Sequence, residues 1–77
     1  MIHKILQVTD SLYKQFLESD WYGYSPLRNG IYKIKLEDGS VMELRFQDRS
    51  KIWFLFLDVL LKEFGYEVME KKFYTEE

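Results

Sequence analysis

The chain predicts a small α+β domain, a two-layer sandwich of helices against an antiparallel sheet. Three observations carry this. Ten of the thirteen residues from Ile52 to Phe64 are apolar, which is a helix. Tyr32 to Gln47 alternates apolar and polar residues on either side of Glu37-Asp38-Gly39-Ser40, which is a β-hairpin. Seventy-seven residues without a cysteine make a single domain that must rely on a dense core, and two Trp, six Tyr and six Phe provide its bulk.

The first twenty residues fit two readings. Ile2, Ile5, Leu6, Leu12, Tyr13, Phe16 and Leu17 suit one amphipathic helix about as well as a strand followed by a helix. The split is preferred, because Thr9-Asp10-Ser11 is a poor helix interior and a good helix start. Thr9 would be the N-cap, with Val8 packing on Tyr13 as a hydrophobic staple. Ile2 to Val8 is then a strand, and the order βαββαβ is the ferredoxin-like plan with both helices on one face of a four-stranded sheet. The alternative is αββαβ with a three-stranded sheet.

The hairpin has a definite register. A two-residue Asp38-Gly39 turn would set Ile34 opposite Glu43 and mix the two faces. A three-residue loop with Gly39 in the left-handed bulge position pairs Leu36 with Ser40, Ile34 with Met42 and Tyr32 with Leu44, which gathers the apolar residues. It also puts Lys33 across from Glu43 as a solvent-face ion pair. Asp48 or Ser50 caps the following helix, and Gly65 stands where a left-handed terminating residue belongs. Tyr66 to Thr75 reads as a last strand whose irregular alternation suits a sheet edge. The long connection from Ser19 to Gly30 contains the only proline, Pro26, and an Asn29-Gly30 turn signal.

On a helical wheel Lys51, Asp58 and Lys62 form one polar stripe of the long helix, with Asp58 and Lys62 spaced as a surface ion pair. The remaining apolar arc of roughly 220° exceeds the ~100° that a single core face uses. Phe54 and Leu61 on one shoulder, and Leu55 and Val59 on the other, therefore call for a cover. A partner chain or a second copy of this one would provide it.

Few function classes survive. The sequence offers no catalytic constellation, no metal site and no cofactor motif. His3 is a lone histidine without a cysteine or spaced carboxylates, Asp38 belongs to the turn, and the glycines are scattered. No apolar run approaches the ~18 residues that span a bilayer, and no signal-peptide pattern is seen, so a cytoplasmic protein is expected. Thirteen acidic against eleven basic residues give neither a basic nucleic-acid binder nor an extreme acidic mimic. Gly30-Ile31-Tyr32 resembles the opening of a GIY-YIG nuclease domain, but the second strand reads Val41-Met42-Glu43-Leu44, so the tripeptide implies no activity.

The expectation is therefore a non-catalytic module that binds another protein, acting as a small regulator or inhibitor that occludes its partner, with a homodimer as a further assembly. Trp21, Tyr22, Tyr24 and Arg28 are the candidate anchors in the long connection, since rigid aromatics and arginine give contact area at little entropic cost. Phe54 and Leu55 are the candidates on the helix. The alternative is a nucleic-acid accessory protein using Lys33, Lys35 and Arg45 on the hairpin's solvent face. That face lacks the aromatic residues on which bases stack.

Overall fold

A computed structural model describes residues 1–18 and 27–74. Its elements run α1 (Ile2–Glu18), β1 (Leu27–Lys35), β2 (Val41–Ser50), α2 (Lys51–Glu63) and β3 (Glu67–Tyr74). The sheet is antiparallel throughout, in the order β2-β1-β3, with both helices on its apolar face. This is the α+β sandwich expected, in the three-stranded αββαβ form; the preferred strand over Ile2 to Val8 does not exist.

The correction has a clear cause. Thr9 is no N-cap. It sits fully buried inside α1, where its hydroxyl donates to the Ile5 carbonyl at 2.8 Å, the local back-bond that lets a threonine stay in a helix interior. Asp10 accepts a hydrogen bond from the Trp53 indole Nε1 at 2.8 Å, tying α1 to α2. Thr9 and Asp10, two of the residues that read as a break, are thus satisfied without breaking the helix.

The hairpin has the expected register. Tyr32 pairs with Leu44 and Ile34 with Met42, the Leu36 N–H donates to the Ser40 carbonyl at 2.8 Å, and Gly39 adopts φ 88°. The Ser40 N–H, left over by the bulge, donates to Asp38 Oδ1, and the Ser40 hydroxyl donates to the same oxygen. Lys33 lies opposite Glu43, but its ammonium is 3.6 Å from Glu70 of β3, while Glu43 takes Arg45 at 3.3 Å, so the expected cross-strand ion pair is not made.

Both ends of α2 match their signals. Ser50 is the N-cap, accepting from the Ile52 N–H at 3.2 Å. At the other end Gly65 at φ 82° donates to Lys62 and Tyr66 donates back to Leu61, a Schellman closure with Tyr66 packed on the core.

Two irregularities shape the sheet. Asn29-Gly30 is not a turn but lies within β1, where a bulge sets Asn29 against Gln47 and Asp48. The buried Asn29 side chain accepts from the Asp48 N–H at 2.9 Å and holds Asp48 at φ 54°. In β3 the register shifts between Val68 and Glu70, leaving Met69 over as a bulge. That extra residue explains the irregular alternation, because it brings Val68, Lys71 and Phe73 onto one face and turns Met69 outward, 53% exposed.

The core is Ile5, Tyr32, Ile34, Phe46, Trp53, Phe54, Leu57 and Leu61. Phe54 stacks on Tyr32 at 5.9 Å and meets Phe73 edge-on at 4.9 Å. Gly30 permits this, since a Cβ there would stand 2.9 Å from the Phe54 ring.

Candidate functional site

Extending the inward positions of β1 back from Ile34 and Tyr32 passes through Gly30 to Arg28, which therefore points towards the helix layer rather than into solvent. On the neighbouring strand β3, Lys71 lies opposite Tyr32 and Phe73 opposite Gly30, so both share that face. Beside them α2 presents Lys51, Phe54, Leu55 and Asp58 at helical spacing. These seven residues line a cleft of about 190 Å³.

Its floor is aromatic and its rim carries three cations against one carboxylate. The Arg28 guanidinium stands over the Phe73 ring, 5.7 Å from the centroid. Arg28 Nε is buried and has no hydrogen-bond partner among the described residues. An N–H so placed costs about 1–3 kcal/mol when left unpaired.

Asp58 is already engaged. The fully buried Tyr32 donates its hydroxyl to Asp58 Oδ1 at 2.6 Å, and Lys71 donates to Oδ2 at 2.8 Å. The stripe reading of Asp58 beside Lys62 is corrected accordingly: its partners come from the sheet, and its side chain is only 27% exposed. Burial, then the hydrogen bond and negative charge of Asp58, push the Tyr32 phenol well above its ordinary value. Tyr32 is thus a fixed donor, unsuited to give up its proton.

Of the residues singled out from the sequence, the structure brings Arg28, Phe54 and Leu55 together in this cleft. Phe54 is a floor residue, 2% exposed, and not a shoulder open to a partner. Leu61 is fully buried in the core as well, so one of the two helix shoulders is covered from within. Leu55 and Val59 stay 50% and 58% exposed. Trp21, Tyr22 and Tyr24 lie outside the described residues. Lys71 and Phe73 were not anticipated as site residues, and the signal that could have found them, the bulge at Met69, is invisible until β3 is paired.

On the opposite face of the sheet, Lys33 and Arg45 each have a carboxylate partner, and Lys35 lies across from Glu67. A second, larger hollow of about 440 Å³ at the hairpin end is lined chiefly by apolar residues, with Glu37 and Asp38 at its rim. Among the described residues no group of three His, Cys, Asp or Glu side chains could hold a metal ion, and no helix is long and apolar enough to cross a membrane. No protein-family model matches the chain, and no curated protein or solved structure matches it.

Proposed function

We propose that this chain is a non-catalytic protein-binding module, a small cytoplasmic regulator or inhibitor that occludes its partner by gripping an acidic segment in the Arg28 cleft. The observation that carries the reading is the Arg28 Nε, buried and without a hydrogen-bond partner among the described residues, in one cleft with half-exposed Leu55. A carboxylate from a partner would supply the missing acceptor in a charge-assisted bond, and an apolar neighbour of that carboxylate would cover Leu55. The cleft's size supports a side chain rather than a cofactor, since small-molecule sites usually occupy ~300–1,000 Å³.

The test is affinity capture from native lysate, with and without nuclease, using the wild type, Arg28→Gln and Leu55→Glu. Proteins captured by the wild type should resist nuclease and be lost with either variant, while circular dichroism shows both variants folded. Capture that persists in both variants overturns the cleft reading. Capture abolished by nuclease turns the choice to the basic residues Lys33, Lys35 and Arg45.

A further inference from the structure

Among the described residues the sheet ends on one side in β2. Its regular part, from Val41 to Gln47, carries two charges, Glu43 and Arg45, of opposite sign and two residues apart, and Asp48 and Arg49 follow at and beyond the bulge. The other edge, β3, carries four charges in eight residues, the usual protection against edge pairing.

The direction in which each β2 residue aims its main chain follows from the hairpin. Leu36 bonds Ser40, so by the alternation of antiparallel pairs residues 34 and 42, and then 32 and 44, face each other with their N–H and C=O groups. Met42, Leu44 and Phe46 of β2 thus bond to β1. Val41, Glu43, Arg45 and Gln47 point theirs outward, away from the sheet.

We propose that a second copy of this chain pairs antiparallel along this edge, about a two-fold axis at Leu44, joining two three-stranded sheets into one of six strands. The choice of axis is forced. Pairing outward groups with outward groups places the axis on a residue. An axis at Glu43 or Arg45 sets that charge against its own copy. An axis at Met42 sets Glu43 against Val41, and one at Phe46 runs the pairing through the Asp48 bulge. An axis at Leu44 alone sets Glu43 against the partner's Arg45, twice, with Val41 against Gln47 at either end. Roughly eight main-chain hydrogen bonds would form. On the inner face Met42, 38% exposed in the isolated chain, would meet Phe46 of the other copy. The Arg45 side chain, now bonded to Glu43 of its own strand at 3.3 Å, would exchange it for Glu43 of the neighbour. This site is separate from the Arg28 cleft and does not depend on it.

Light scattering behind size exclusion on the full chain at 10–100 µM, by order of magnitude the range of modest self-association, should show a dimer. Glu43→Arg and Arg45→Glu each replace two attractive pairs by two repulsive ones and should weaken dimerisation roughly tenfold to a hundredfold. Mixed together, the two variants restore both attractive pairs and should form a heterodimer. Hydrogen exchange gives a readout without substitution: the Glu43 and Arg45 amides should be protected at high concentration and exchange freely on dilution. A monomeric wild type overturns the proposal. A dimer indifferent to these charges, with unprotected Glu43 and Arg45 amides, overturns it too and moves the contact to the Leu55–Val59 face of α2.

Discussion

Removing the Tyr32 hydroxyl tests the buried link between sheet and helix. The ring is fully buried and the hydroxyl donates to the Asp58 carboxylate at 2.6 Å. Hydrogen bonds to charged groups contribute about 1.5–3 kcal/mol. Asp58 keeps Lys71 and has its side chain 27% open to water, so the loss in Tyr32→Phe should fall near the lower end, about 1–2 kcal/mol. In a domain of this size that lowers the melting temperature by roughly 4–8 °C per kcal/mol. Asp58→Ala should be worse, about 2–3 kcal/mol, because it leaves the buried hydroxyl without an acceptor. The double variant should be milder than Asp58→Ala, because Tyr32→Phe removes the hydroxyl that the alanine leaves without an acceptor. The effect of pH has a definite sign. The folded state holds the Tyr32 proton above the usual pKa of about 10, mainly through burial and then through Asp58. Its contribution is therefore complete below pH 10 and is lost as pH rises beyond, by about 1.4 kcal/mol per unit. Urea titrations of wild type and Tyr32→Phe between pH 7 and about 11 should show a shallower alkaline decline in the variant, the other tyrosines being common to both. A Tyr32→Phe protein within a few tenths of a kcal/mol of wild type, with a parallel alkaline limb, would refute this account.

Two further variants probe the packing. Gly30→Ala inserts a Cβ 2.9 Å from the Phe54 ring and should cost about 1–3 kcal/mol by urea titration. A second change, Phe54→Leu, should remove most of the alanine's cost, because it takes away the two nearest ring atoms and leaves Phe73 Cδ1 at 3.3 Å. Asp10→Ala deprives the Trp53 indole N–H of its acceptor and should lower stability by about 1–2 kcal/mol, an effect absent when Trp53 is already Phe. If thermal melts show Asp10→Ala to be equally costly in both backgrounds, the bond between the helices is not its source.

Much of this fold was legible because the signals are local. Hairpin register follows from a period of two and from what Gly39 permits, and the bounds of α2 follow from Ser50 and Gly65, each read within a few residues. The α+β class follows from these elements. What could not be read depends on groups far apart in the chain. Thr9-Asp10-Ser11 looks like a helix start unless Trp53, forty-three residues beyond Asp10, is known to donate its indole N–H to that carboxylate. Asp58 looks like a solvated stripe residue until Tyr32 and Lys71 are brought to it from two strands. The candidate site shows the same division. Arg28 and Leu55 could be nominated from residue type and wheel position, but the cleft exists only because the bulge at Met69 turns Lys71 and Phe73 inward and Gly30 leaves room for Phe54. Residue pattern decides which faces are apolar; pairing between strands decides which polar groups those faces enclose, because a single extra residue in a strand reverses every side chain beyond it.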